Sequence, residues 1–214
     1  DSEEKKIITI EDPVEYQIAG VTQIQVRPTI GLTFAGGLRH IVRQDPDIIL
    51  VGETRDLETA AITIEAALTG HLVVTTLHTN SSTEAITRLV DMGVEPFLIA
   101  SSVNGALAQR LVKTICPKCI VSTPITKDQR NMLQISDEDA EGKEIKYGTG
   151  CDACNNSGYK GRCGLYEMLQ MSEEIRELIA NKVPALVLRE KAMEFGMQTL
   201  RMDGLRIMFN GVST

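Results

Sequence analysis

Glu53 directly follows Ile48-Ile49-Leu50-Val51-Gly52, an unbroken apolar run that reads as a strand buried on both faces of a parallel sheet. Open α/β sheets place their ligand sites at the C-terminal ends of strands. A carboxylate delivered there can hold a metal-bound water or accept its proton. The same residues also suit a strand that ends in a solvated glutamate. Glu11, Asp12 and Glu15 surround Pro13 in a turn after Lys5 to Ile10, which reads as another strand. An acidic turn alone is usually just solvated; beside a second strand-end glutamate it becomes a candidate metal or water site. His78 closes a third run, HLVVTTLHTN (71–80), rich in β-branched residues, so Glu53 and His78 are expected on the same edge of one sheet. Arg39 and Arg43 stand at i and i+4 in TFAGGLRHIVRQ and share one helix face. They are either a solvated basic face or ligands for a phosphate, including one across a subunit boundary.

Four of the five cysteines form two close pairs, Cys116/Cys119 and Cys151/Cys154, with 31 residues between them; Cys163 stands alone. Paired C-x-x-C elements read as a metal site before they read as disulfides. The gap exceeds the roughly 15–20 residues usual for two zinc knuckles, but a longer loop adds little closure entropy. The alternative is a redox C-x-x-C, and neither pair follows a strand and opens a clear helix as that motif would. A structural zinc contributes about 10–16 kcal/mol in finger peptides, and so small and polar a region has little apolar surface of its own to bury.

The elements that must position these groups follow from periodicity. Residues 55–69 read as an amphipathic helix with Leu57, Ala60, Ala61, Ile64 and Leu68 on one face, closed by Gly70. Strand 48–51, this helix and strand 71–80 make a βαβ unit with a right-handed crossover. Residues 82–93 read as a helix capped by Ser81 or Ser82, and 97–115 as a single, largely buried apolar helix. Alternating strands and helices to residue 115 indicate an α/β sheet. From Cys116 prolines, glycines and charges take over, with one short helix around 128–133. The last part reads as helical, with starts at Ser172, Pro184 and Thr199. The expected division is 1–115, 116–164 and 165–214.

Over 214 residues, 43% hydrophobic and 24% charged composition argues for packed structure and against disorder. A net charge of −7 and 4% aromatics with no tryptophan argue against nucleic acid as a partner. No apolar run approaches the roughly 18–20 residues that span a bilayer, and the charged opening residues fit no signal peptide. A cytoplasmic location is the default expectation.

In their order, these motifs resemble the C-terminal half of the type II secretion and type IV pilus assembly ATPases, the GspE/PilB family. ITIEDPVEY is similar to the family's Asp box. GLTFAGGLRHIVRQDPDIILVGETRD is similar to its arginine-bearing segment and Walker B box. GHLVVTTLHTN is similar to its His box, and AQRLVKTICPKC with CDACNNSGYKGRCGLYE to its tetracysteine subdomain. The resemblance covers nearly the whole chain. It implies a RecA-like P-loop NTPase core in a hexameric ring that hydrolyses ATP with Mg²⁺. A zinc-binding tetracysteine subdomain and a C-terminal helical subdomain would complete the chain. Glu53 would be the glutamate that polarises the attacking water. Glu11, Asp12 and Glu15 would lie near magnesium and water. His78 would sense the γ-phosphate, with His71 a second candidate. Arg39 and Arg43 would lie near the nucleotide or the subunit interface, and Cys116, Cys119, Cys151 and Cys154 would bind zinc. The implied partner is an inner-membrane platform protein, which would hold the ATPase peripherally at that membrane.

The chain departs from the family pattern at Thr54 and Cys163, and no G-x-x-x-x-G-K-[ST] phosphate loop occurs in it. The resemblance therefore implies a fragment that starts downstream of that loop, stops inside a last helical segment, and hydrolyses little ATP alone. A rival from another class is a zinc-bearing interaction module that docks on the platform and does no chemistry. Family members that retract pili lack the tetracysteine region, so its presence here favours extension or secretion.

Overall fold

A computed structural model describes residues 4–214 of the chain. Packing divides the chain into two units, Asp1–Ala106 with Leu169–Gly196, and Leu107–Met168 with Met197–Thr214. This division differs from the boundaries read from sequence, because the helices after residue 172 do not stay together.

The first unit is built on four parallel strands, β1 (Ile7–Glu11), β2 (Val21–Gln25), β3 (Ile48–Val51) and β4 (Leu72–Thr75), in the order β2-β1-β3-β4. Register is set by Ile10 opposite Val51 and Val51 opposite Thr75, so the three chain segments after β1, β3 and β4 leave the sheet at one edge. Helix α1 (Phe34–Ile41) starts at Thr33, whose side chain accepts the Gly36 N–H. Helix α2 (Leu57–Leu68) starts at Asp56, which accepts the Thr59 N–H. These caps satisfy donors that a helix start leaves free. Leu38 and Ile41 of α1 and Ala66 of α2 close over Ile8, Ile10, Ile49 and Val51. Gly37, a poor helix former on propensity, has a packing reason: a Cβ there would lie 2.2 Å from Ile10 Cδ1. A side chain there would force Ile10 to shift its terminal methyl.

Helices α3 (Ser82–Asp91) and α4 (Pro96–Ser102) follow. The single helix expected over 97–115 is not found. It stops at Ser102, and Gly105–Ile115 is a strand, β5, which pairs with the later strand β8 (Tyr159–Gln170). Residues 165–170, expected to open a helical region, are therefore strand. Between them lie β6 (Ile120–Pro124), α5 (Lys127–Leu133), α6 (Asp137–Ala140) and β7 (Glu144–Gly148), with β6 and β7 antiparallel.

The C-terminal helices part company. Helices α7 (Glu173–Ala180) and α8 (Ala185–Glu194) belong to the first unit, where α7 packs on α4 and α8 on α3. Helix α9 (Leu200–Phe209) belongs to the second. There the buried Glu167 carboxylate accepts the Leu200 N–H at 3.1 Å, and Asp203 accepts the Tyr166 N–H at 2.9 Å. Among the described residues no helix is long and apolar enough to cross a membrane.

Candidate functional site

Two places gather chemistry-bearing side chains. The first is the C-terminal edge of the parallel sheet. Backbone continuity brings β1, β3 and β4 together there: the Gly52 N–H donates to Ile10 O at 2.7 Å, the Thr54 N–H to Thr76 O at 3.1 Å, and Thr76 Oγ1 to Gly52 O at 2.6 Å. Thr54 is buried, and its hydroxyl meets Thr75 Oγ1 at 2.8 Å. The segment that carries Glu53 is thus held from both sides.

The Glu53 side chain is only 12% exposed. One carboxylate oxygen, Oε1, lies 2.8 Å from His78 Nε2; the other, Oε2, is paired with the Arg55 guanidinium. Arg55 holds the Glu53 carboxyl below its ordinary value against the opposing pull of burial, with a smaller contribution from His78. In return Glu53 raises the pKa of Arg55, and Asp12 adds to that field. The expected meeting of Glu53 and His78 on one edge is found. Arg55 was not singled out in the sequence; its i+2 spacing from Glu53 at a strand end was the available signal.

Glu11, the last residue of β1, reaches the same edge and accepts hydrogen bonds from Thr9 Oγ1 and, at 3.0 Å, from Gln23 Nε2. Gln23 also donates to Tyr16 O and accepts the Ile18 N–H, which pins the irregular stretch after β1 beside it. Asp12 and Glu15 are exposed in that stretch. Arg39 lies on α1 and pairs at 2.6 Å with Glu58 in the first turn of α2. Arg43 is exposed just beyond α1. The structure brings neither arginine to Glu53. His71 is also elsewhere. It stands before the first residue of β4, at the opposite edge of the sheet, where its Nδ1 lies 2.9 Å from Ala66 O and 3.2 Å from Thr69 Oγ1. Those contacts make it part of the α2 C-terminus.

The second place is the thiol cluster of the second unit. The sulfur of Cys116 lies 3.9 Å from that of Cys151, Cys119 lies 3.9 Å from Cys154, and Cys151 lies 3.8 Å from Cys154. All four lie within 4.8 Å of one another. Four thiolates at about 2.3 Å from a tetrahedral ion have edges of about 3.8 Å, so the donor set fits a metal of that geometry. Among the described residues this is the one group of three or more His, Cys, Asp or Glu that converges in this way. Burial pushes the Cys119 thiol up to about 11. At Cys154 burial is outweighed by the Cys151 and Gly158 N–H groups, which bring it down to about 6. The knuckles are set by backbone: the Cys119 N–H donates to Cys116 O and the Cys154 N–H to Cys151 O. Gly148 and Gly158 lie back to back beside them. A Cβ on Gly148 would sit 2.0 Å from Gly158 O, and one on Gly158 would sit 2.5 Å from Gly148 O. The approach lets Gly158 O accept the Cys116 N–H at 2.9 Å.

Comparisons with known proteins identify the family of the chain. The family model described as "Type II/IV secretion system protein" matches residues 1–214. The chain is 49% identical over 211 residues to the type IV pilus assembly ATPase PilB of Thermus thermophilus, covering 99% of the chain and 24% of that protein. It is 48% identical over 216 residues to the type II secretion system ATPase E of Vibrio cholerae, covering 100% of the chain and 42% of that protein. It therefore spans less than half the length of these curated relatives. Among solved structures, the pilus retraction motor PilT with bound ADP superposes with a TM-score of 0.68 at 29% identity, over 98% of this chain and 50% of PilT. With a parallel sheet that ends in Glu53 and His78, a four-cysteine cluster and a match along its whole length, the chain belongs to the type II/IV secretion system protein family.

Proposed function

We propose that these residues are the C-terminal part of a hexameric ATPase whose hydrolysis of ATP drives assembly of a type IV pilus or of a type II secretion pseudopilus. The ATPase works at the cytoplasmic face of the inner membrane through a platform protein. The observation that carries this reading is Glu53, a nearly buried and ionised carboxylate at the end of a central parallel strand, with His78 at one of its oxygens.

The donor set at that edge suits Mg²⁺ and a nucleotide. Magnesium takes one or two carboxylates and fills its remaining positions with water and phosphate, which matches carboxylates that do not converge by themselves. ATP with Mg²⁺ supplies the phosphoryl group and neutralises charge during its transfer. In this reading Glu53 orients the attacking water and accepts its proton at the carboxylate. His78 reports on the phosphate from the neighbouring strand. Glu11, Asp12 and Glu15 accept hydrogen bonds from water around the cation. Arg39 and Arg43 act across a subunit boundary, a reading supported by their exposure and their separation from Glu53 within one chain. Such arginines contribute about 10³–10⁵ in rate in related sites. Zn²⁺ held by Cys116, Cys119, Cys151 and Cys154 is a structural node, since all four positions are filled by protein. Without a G-x-x-x-x-G-K-[ST] loop among them, the 214 residues alone hydrolyse little ATP.

The test is Glu53→Gln in the full-length ATPase. Hydrolysis is expected to fall about 10²–10⁴-fold while ADP binding persists. Undiminished hydrolysis would overturn the reading. A second reading, a zinc-bearing module that docks on the platform protein, draws on Leu107 and Leu111 of β5 and Tyr166 and Met168 of β8, all exposed. Loss of platform binding on substitution of these residues, with hydrolysis intact, would favour it.

A further inference from the structure

We propose that residues 211–214, the chain just beyond α9, are a clasp for the first cysteine knuckle, so that metal retention by the four thiols and the order of the end of α9 depend on each other. The proposal rests on the metal reading of Cys116, Cys119, Cys151 and Cys154 above.

The direction of this segment is fixed at the helix end. Gly211 has a φ of 72°. Its N–H donates to Met208 O at 2.9 Å, and the Val212 N–H donates to Ile207 O at 3.0 Å. Such a pair of bonds turns the chain sharply out of a helix, and its left-handed residue favours glycine. Lys146 of β7 lies against the turn, where a Cβ on Gly211 would run into its side chain. Beyond the turn each residue binds chain beside the thiols. Val212 O accepts the Ile115 N–H at 2.9 Å, one residue before Cys116. Ser213 is 6% exposed, and its hydroxyl donates to Lys113 O at 2.7 Å. Thr214 Oγ1 lies 2.7 Å from the hydroxyl of Tyr159, the first residue of β8. The Lys113 ammonium stands 5.6 Å from the centre of the same ring, within cation–π range. Lys113 and Ile115 are two apart in β5, so their backbone groups face one edge of that strand, and residues 212 and 213 bind there. The next amide has a different partner: the Cys116 N–H donates to Gly158 O at 2.9 Å. Ile115 and Cys116 are both buried. The first sulfur of the cluster thus sits on chain held by two separate supports, Gly158 and the segment after α9. Groups behind a metal's ligands fix their orientation, and losing them weakens retention. Of these contacts the Ser213 bond is the most sheltered from water, and without it a backbone acceptor in β5 loses its partner.

The experiment loads the full-length ATPase with Zn²⁺, follows its transfer to a chromogenic chelator, and reads Tm and hydrogen exchange with and without the metal. Ser213→Ala is expected to speed Zn²⁺ release about 3- to 10-fold, the scale of one buried hydrogen bond. Ser136→Ala, which removes the cap of α6 in the same unit, should release Zn²⁺ at the unsubstituted rate. Coupling between two sites is reciprocal. Ser213→Ala should therefore lower Tm only in the Zn²⁺-loaded protein, and the Zn²⁺-free proteins should melt alike. In the unsubstituted protein, chelation should free the Ile115 and Val212 amides to exchange, while the Leu200 amide, held by Glu167 at the other end of α9, stays protected. Release from Ser213→Ala at the unsubstituted rate, an equal acceleration in Ser136→Ala, an equal fall in Tm with and without Zn²⁺, or a Val212 amide still protected after chelation would each overturn the proposal. An unsubstituted protein that takes up no Zn²⁺ would instead sink the metal reading of the four cysteines, so the two failures are told apart.

Discussion

In the second unit four thiols stand within 4.8 Å of one another, three of the pairs at 3.8–3.9 Å, already spaced for one ion. At the sheet edge of the first unit Glu11, Asp12 and Glu53 come from adjacent strands yet converge on no point among the described residues. The thiol cluster is complete within its own unit, as expected where the metal has a folding role and every position is protein. The carboxylate edge leaves positions open, as expected where substrate, water and further protein must enter. The difference also shows in how each is held. The thiols depend on knuckle backbone and on glycines with no room for a side chain. The carboxylates depend on side chains, Arg55 and His78 at Glu53 and Thr9 and Gln23 at Glu11.

Metal removal presses hardest on that contrast. A strong chelator is expected to release one Zn²⁺ per chain and expose four thiols beyond Cys163. It should abolish hydrogen-exchange protection across 116–164 while the β1-β3-β4 core stays protected. Equal loss in both units would break the comparison, because the cluster would then support the sheet as well. A backbone substitution is the next test. Gly148→Ala would drive a Cβ into Gly158 O, and overpacking of this kind costs about 1–3 kcal/mol. Refolded at limiting Zn²⁺, it should retain less metal than the unsubstituted protein. The control Gly204→Ala in α9 meets only Leu165 Cδ1 at 3.7 Å and should hold metal normally. The smallest effect concerns acid and the opposite edge of the sheet. Asp47 lies below its ordinary pKa because the Lys6 N–H and the Lys5 ammonium bind its carboxylate. A depressed folded value contributes stability above the unfolded pKa, near 3.9, that is lost as pH falls through the folded value. Thermal melting of Asp47→Asn from pH 5 to pH 2 should therefore show a shallower acid limb than the unsubstituted chain. Parallel acid limbs would remove Asp47 from the account.

Most of the first unit was legible because its signals are local. An apolar run that ends in Gly-Glu, a helix opened by Asp56 and closed by Gly70, and a β-branched run that ends near His78 each declare themselves within a dozen residues. Thr33, Ser81 and Ser172 cap helices where their types suggest. The residues 105–115 were not legible as a strand. Their partner, β8, lies more than forty residues later, and pairing across that distance leaves no mark in local propensity. No hydrophobic alternation marks them either: Leu107 and Leu111 are exposed and Ala108 is buried, and the small residues upstream suggest one long packed helix. The parting of α7 and α8 from α9 was hidden for the same reason, since α7 finds α4 some seventy residues back, where Arg176 donates to Ala100 O. The carboxylates and thiols were readable from type and spacing. Arg55 was missed because an arginine beside a glutamate is common on surfaces, and only the anchoring of Thr54 sets this one apart.

The stretch between the two cysteine pairs leaves and returns at one spot. β6 and β7 zip together antiparallel from Ile120 opposite Gly148 to Pro124 opposite Glu144, and Thr149 binds back to Cys119 O through its amide at 3.0 Å and its hydroxyl at 3.2 Å. The ribbon closes its own ends before the thiols meet, and closure entropy grows only slowly with length. For protein engineering, the tip beyond Pro124 and Glu144 is coupled to α9 and not directly to the sulfurs: Arg201 donates to Leu133 O and Gln134 O, so a change at the tip is felt first by that helix.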